Sequence, residues 1–294
     1  MRIVLWLVAA LLAGCGKKGS SVTVYASQDQ VYAEPILAEF SKQSGIHLRA
    51  VYDSEAVKTV GLVNRLIAEK SNPQCDVFWN NEELRTRQLE AKGVIERWVA
   101  VGSRSRRIVI NTNLIASPPR SLVELTNAVW KGKVALAYPL FGTTATHFLA
   151  LRQHWGAEAW QSWCRALQGN GPFLVDGNSV VVQMVGRGEA AVGLTDSDDI
   201  AAGQKQGFPI QALPLDELSL LIPNTVAVVR NGPHAAQAQR LLEHLQTEAV
   251  PQALIAAGAL ESPATGGLGL KVDWPKLLGD LEEGTATLKQ VFLR

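Results

Sequence analysis

The chain has 294 residues, is 47% hydrophobic and 19% charged, and carries a formal charge of +1. This composition excludes a disordered polymer and gives length enough for two sizeable cores. The near-neutral balance removes any general electrostatic argument for nucleic acid, because no basic excess is present to neutralise phosphates.

The first predicted element is a leader. Arg2 is a minimal positive start, and Ile3 to Leu12 is an apolar run too short to span a bilayer. Its end, Leu12-Ala13-Gly14-Cys15, resembles the lipobox of bacterial lipoproteins. That resemblance implies cleavage of residues 1–14, acylation of Cys15 and a short flexible tether over residues 15–21. Loss of Arg2 with the leader leaves 27 basic residues against 27 acidic ones.

The mature chain alternates short β-rich runs with helical patterns. VTVYAS (Val22–Ser27) reads as a strand, and Ile36, Leu37 and Phe40 recur at helical spacing before Gly45. IHLRAVYD is a strand, TVGLVNRLIAEK a helix, CDVFWN an apolar strand, and EELRTRQLEAKG a helix. SRRIVINTNLI reads as a long strand leaving this unit. A helix over Ser121–Trp130, the strand KVALAYP and the helical LFGTTATHFLALRQHWG follow. A polar loop is expected next, although Trp160, Trp163 and Leu167 recur at helical spacing around Cys164. Strand, helix, strand, helix is then predicted from Pro172 to Gly207. LSLLIPNTVAVVRN is a second long strand, and the remainder is helical, expected to return to the first unit.

This order predicts an α/β protein: two doubly wound domains joined by a two-strand hinge. The first domain is expected over residues 22–110 and 224–294, with the second, 111–223, inserted. Ligands of open parallel sheets bind beyond the carboxyl ends of the strands, so one cleft between the domains is the expected site.

The residues at those strand ends are the candidates. Asp29, Glu82, Asp196, Asp198 and Asp199 all fall there. Hard cations prefer oxygen ligands, which makes Asp29, Glu82, Asp198 and Asp199 candidate metal ligands. An Asp or Glu at a helix start is also an ordinary cap, and that reading stays open for each. Ser27 and Gln28 adjoin Asp29, while Asn80 and Asn81 adjoin Glu82. Gly142, Thr143 and Thr144, between a strand and a helix, could hold an anion on backbone N–H groups, with Asn178 at the next helix start. Trp79 ends a strand, where it is either core or one face of a site for an organic cation. Cys75 and Cys164 read as buried thiols, and no spacing suggests a cysteine metal site. An exported metal-dependent hydrolase would use the same carboxylates, but no nucleophile elbow or His-rich metal motif supports one.

In their joint order, these segments resemble the periplasmic solute-binding proteins of ABC importers, and among them the ferric-iron-binding group with its bilobal fold. The markers are VTVYASQDQVYAEPILAEFSKQSGI, NPQCDVFWNNE, SRRIVINTNLI, VVVQMVGRGEAAVGLT and LLIPNTVAVVRNGPHAAQAQRLLEHL. The resemblance implies reversible capture of a small solute by a monomer and delivery to an importer permease, without catalysis or a resident cofactor. Ferric iron is the cargo it favours, with an anion bound beside the metal at the Gly142–Thr144 loop. It also implies an exported chain that meets the membrane only through its lipid. The group's metal-binding positions fall near Asp29, at Asn81 or Glu82, and near Ser197 to Asp199. Its tyrosine pair is absent there, since the four tyrosines are Tyr25, Tyr32, Tyr52 and Tyr138. A small organic cation and a phosphate ester or phosphonate stand as alternative cargoes.

Overall fold

A computed structural model describes residues 21–52, 58–264 and 266–293. The leader, Cys15 and the tether up to residue 20 lie outside the described residues. In chain order, β1 (Ser21–Ala26), α1 (Gln30–Ser44), β2 (His47–Tyr52), α2 (Lys58–Ala68), β3 (Val77–Asn80) and α3 (Glu83–Ala91) form the first run. The long strand β4 (Ile95–Asn111) leads through two 3-10 turns (Leu122–Thr126, Ala128–Trp130) to β5 (Val134–Ala137). Then come α4 (Gly142–Trp155), α5 (Ala157–Gly169), β6 (Phe173–Val175), α6 (Asn178–Gly186), β7 (Val192–Asp196), α7 (Ser197–Lys205) and β8 (Ile210–Ala212). The second long strand, β9 (Leu220–Val229), precedes α8 (Ala235–Leu245), α9 (Ala249–Ala257), α10 (Trp274–Gly279) and α11 (Leu281–Phe292).

The described strands pair in the order β2-β1-β3-β9-β4-β7-β5-β6, with β8 beside β4. β1 is parallel to β2 and β3, β5 is parallel to β6 and β7, and β4 and β9 run antiparallel. The mixed α/β class and its two halves match the expectation. The two sheets are not separate, however. β4 and β9 pair with each other from Ile95 to Arg106, so one hydrogen-bonded sheet runs through both halves.

Side-chain alternation builds a core on each face of each half. Val22, Val24 and Ala26 of β1 join one cluster, with Trp79 and Leu241, while Tyr25 turns to another with Phe78 and Leu66. In the other half Ile108 and Ile110 face Phe148 and Trp163, whereas Val109 faces Val181 and Val185. Helices thus cover both faces of a mixed sheet whose outer strands in each half are parallel, which explains why those strands read as continuous apolar runs.

Three expectations change. The segment after Gly156 is the helix α5, whose Trp160, Trp163 and Leu167 are buried; its helical spacing outweighs its polar residues. Ser121–Trp130 is two 3-10 turns rather than a helix. Of the C-terminal helices, α8 and α9 return to the first half as expected, with Leu241, Leu245 and Leu254 in the core of β1 and β3, but α10 and α11 join the core of the second. Leu277, Leu281, Leu288 and Phe292 bury themselves against Phe148 and Trp163, with Phe292 edge-on to Phe148 at 5.8 Å between ring centroids. Gly284 permits the approach, because a Cβ there would sit 2.2 Å from Leu149 Cδ2. Burying each of those large apolar side chains contributes about 1.5–3 kcal/mol.

Candidate functional site

β7 is buried along its whole length and ends at Asp196, where α7 begins. Asp196 occupies the N-cap position of α7, yet its side chain makes no capping bond. Its carboxylate turns to β4 instead. The antiparallel register sets Asp196 opposite Arg106. The two-residue period carries Arg104 to the same face as Arg106, along with Ile108 and Ile110. Arg106 Nη1 donates to Asp196 Oδ1 at 2.8 Å, and Arg104 Nη2 donates to Oδ2 at 3.1 Å. Thr143 Oγ1 and Asn178 Nδ2 also donate to Oδ2, at 2.7 and 3.1 Å. Arg104 reaches further with its other arm, placing Nη1 3.1 Å from Asp198 Oδ2.

Arg104, Arg106 and Asp196 are fully enclosed, so their charges persist only because they are matched. Burial opposes ionisation of Asp196, but Arg104, Arg106 and the Thr143 hydroxyl outweigh it and hold the carboxyl below its ordinary range. Burial likewise opposes the charge on Arg104, and Asp198, Asp196, Asp29 and Asp199 together reverse that and raise its pKa.

In front of this network lies a pocket of about 60 Å³. That is room for a few waters or one small solute group. Asp29 and Asn81 come from the first half, Arg104 from the through-running strand, and Tyr138, Phe141–Thr144, Asp176–Asn178, Asp198 and Asp199 from the second. One oxygen from each of Asp196, Asp198 and Asp199 falls within 4.8 Å of the others. The half-buried Tyr32 senses the same charges: burial first, then Asp198, Asp29 and Asp199, push its hydroxyl up to about 12. The helices α4 and α6 also start at this wall. Their N-cap residues, Phe141 and Gly177, supply no side-chain acceptor for the first N–H groups.

Of the residues expected from the sequence, Asp29, Asn81, Gly142, Thr143, Thr144, Asn178, Asp196, Asp198 and Asp199 line this one pocket. Ser27, Gln28, Asn80 and Glu82 do not. They form the wall behind it. Ser27 Oγ donates to Asn80 Oδ1 at 2.7 Å and receives the Asn81 N–H. Asn80 Nδ2 donates to Thr86 Oγ1, and Gln28 Oε1 accepts from Asn224 Nδ2. Glu82, expected as a metal ligand, caps α3 by accepting from the N–H groups of Leu84 and Arg85, and takes a further bond from Thr146 Oγ1. Burial raises its pKa. Trp79 is core, with its indole N–H on Asn224 Oδ1 at 2.9 Å. Cys75 and Cys164 are free, buried thiols.

Sequence reasoning missed Arg104, Arg106, Tyr138 and Asp176. The signal for the arginines was present: Arg104 and Arg106 alternate on the same face as Ile108 and Ile110, and charges that share a face with core residues demand buried partners.

Two α/β halves crossed by paired long strands, with a polar pocket where their strand ends meet, define a solute-binding receptor. Residues 21–259 match the family model described as bacterial extracellular solute-binding protein, and the chain belongs to that family. It is therefore an exported solute-binding protein of the kind that serves ABC importers. No curated protein matches its sequence. Among solved structures, iron-bound HitA from Pseudomonas aeruginosa superposes with a TM-score of 0.82 at 18% identity, covering 93% of this chain and 99% of that one. The ferric binding protein from Campylobacter jejuni gives 0.81 at 14%, covering 92% and 99%. The periplasmic binding protein AfuA from Actinobacillus pleuropneumoniae, with fructose-6-phosphate bound, gives 0.79 at 18%, covering 93% and 97%. Similarity at these identities carries the fold alone: one of these structures holds iron and another fructose-6-phosphate.

Proposed function

We propose that the chain is the lipid-anchored receptor of an ABC importer and that its cargo is a small cationic solute, held by Asp29, Asp198 and Asp199. The supporting observation is the charge of the pocket wall. Among the described residues it gathers the carboxylates of Asp29, Asp176, Asp196, Asp198 and Asp199, with Arg104 beside them and Arg106 behind. Like-charged carboxylates at this spacing favour binding of positive charge. Asp196 is already held by two guanidiniums, and Arg104 also pairs Asp198, so a multivalent metal would have to displace or face fixed positive charge. An ammonium group, which binds by hydrogen bonds at lower charge, suits this wall better.

The oxygens of Asp196, Asp198 and Asp199 within 4.8 Å keep a metal ion, ferric iron included, as the second reading. Cys15 anchors the mature protein, and a monomer docks on its permease.

The test uses mature protein unfolded and refolded to strip cargo. A ligand that binds only the native state raises the melting temperature. Amines should shift it, and Asp199→Asn should weaken that binding about tenfold or more. A shift with ferric or gallium ions but not amines would favour the second reading, and a shift with anions alone would sink both. Cys15→Ala should release the protein from the membrane fraction, whereas continued retention would refute the anchor.

A further inference from the structure

The geometry points to a second binding site, separate from the cargo pocket, for a small molecule with an apolar body and one hydroxyl group. A cavity of about 390 Å³ lies in the second half, bounded by β4, β7, α4 and the segment between β8 and β9. Most of its wall is apolar, with Leu122, Leu194, Leu213, Leu215 and Leu218 contributing. Such a wall and volume suit a body of about six to ten carbon atoms. Among its polar residues, Arg107 bonds Ser105 and Glu261, Asp216 and Ser219 bond each other, and Arg120 is exposed. Two more, His147 and Arg106, are fully buried. Each keeps one atom, His147 Nδ1 and Arg106 Nε, without a hydrogen-bond partner among the described residues.

The chemistry of those two atoms specifies the hydroxyl. His147 Nε2 lies 2.7 Å from Leu218 O, and a carbonyl oxygen can only accept, so the ring proton sits on Nε2. Burial, then the nearby Arg106, keep the ring neutral, with its pKa brought down to about 3. Nδ1 is therefore a buried acceptor that requires a donor. Arg106 commits its Nη atoms to Asp196, Asn178 and Leu194 O, which leaves Nε as a buried donor that requires an acceptor. Buried polar atoms left unbonded are costly, so an occupant that bonds them is favoured. An ammonium would donate to Nδ1 but face the guanidinium. A carboxylate would accept from Nε but face the Nδ1 lone pair. A hydroxyl both donates and accepts, and is the simplest group that matches both atoms. The two sites are distinct. Arg106 lines the cavity and not the cargo pocket, whereas Asp196, which Arg106 holds, lines the cargo pocket and not the cavity.

The experiment titrates the stripped mature protein with 4-ethylphenol in a calorimeter. Three comparison compounds share its body: ethylbenzene lacks the hydroxyl, 4-ethylanisole accepts but cannot donate, and 4-ethylbenzoate carries an anion instead. One molecule of 4-ethylphenol should bind per chain, and the other three should bind about tenfold or more weakly. Leu213→Trp, which fills the cavity from its half-buried wall, should abolish the binding. His147→Phe keeps a ring and removes Nδ1, so it should bring 4-ethylphenol and 4-ethylanisole to within about twofold of each other. Should that variant fail to fold, Leu213→Trp still tests the place and the four compounds still test the chemistry. No binding of 4-ethylphenol would overturn the proposal. Equal affinity for ethylbenzene or 4-ethylanisole would do the same, by showing that the hydroxyl is not read. Tighter binding of 4-ethylbenzoate would overturn it in favour of an anion on Arg120, and undiminished binding in Leu213→Trp would place the molecule elsewhere.

Discussion

Replacing Asp196 by asparagine removes one negative charge and leaves the shape of the side chain. In the native protein that carboxylate is buried and accepts bonds from Arg104, Arg106, Thr143 and Asn178. The amide that replaces it could still accept bonds from some of these donors, but Arg106 would lose its counter-charge and Arg104 would keep only Asp198. Removing one partner from a buried pair costs about 3–5 kcal/mol, because the remaining charge stays buried. For a chain of this size, about 2–4 °C accompanies each kcal/mol, so the melting temperature should fall by roughly 6–20 °C at pH 7. Asp196 has a lowered folded pKa, so its contribution is complete above the ordinary carboxylate range, and the assay belongs at neutral pH. Circular dichroism melts, with urea unfolding for the free energy, measure the loss. A second variant checks the cause: converting Arg106 and Asp196 together to leucine should recover at least half of it, since a buried pair can be exchanged for apolar packing at small cost. A loss below about 1 kcal/mol in Asp196→Asn, or no recovery in the double variant, would refute the buried-pair account.

His147 is fully buried, with Nε2 2.7 Å from Leu218 O. Burial, then Arg106, bring its pKa from 6.5 down to about 3. The unfolded chain therefore takes up the proton first, and stability complete above about pH 6.5 is lost as the pH falls towards 3. Between pH 7 and 5 this one group removes about 2 kcal/mol, a loss that His147→Gln should abolish in paired urea titrations. Glu82→Ala should cost about 1–2 kcal/mol through loss of the α3 cap, while ligand affinity moves less than about fivefold. A change above about 100-fold would restore Glu82 to the ligand set. Both cysteine thiols should resist a disulfide reagent until the protein unfolds, because burial pushes their pKa values up and closes access; rapid labelling of the native protein would contradict this.

The parts of the site legible in the sequence were those that follow from topology. Once strands and crossover helices were recognised, Asp29, Asn81 and Asp196–Asp199 had to gather where the strand ends meet, and Asp29, Asn81, Asp196, Asp198 and Asp199 line the same pocket. Partner choice was not legible, because it depends on register between strands far apart in the chain. Asp196 and Arg106 are 90 residues apart, and only the β4–β7 pairing brings them together. The same limit hid the role of Glu82, whose cap is local but whose bond to Thr146 spans 64 residues. It also misplaced α11, since an amphipathic face announces that it will be buried but not against which core.

The chain passes between the two halves three times, in β4, in β9 and in the segment between α9 and α10. All three meet at one level. The β4–β9 ladder shifts register between Ala100 and Ser103, Ser103 lies opposite Pro223, and Ser262 pairs with Ser103. Gly102 sits at this shift with φ 128°, and a Cβ there would lie 2.7 Å from Leu260 and 2.8 Å from the Ser262 carbonyl. A bulge, a residue without an N–H and a glycine in a conformation few others adopt thus weaken the ladder in one band, while its other register shift, between Ile95 and Arg97, lies at its end. This band is where a twist of one half against the other would be absorbed at least cost. Twisting about it would open or shut the pocket while leaving the helical layers and the Arg104–Arg106–Asp196 cluster to move as rigid cargo-bearing jaws, much as a torsion bar lets two stiff plates turn without bending either.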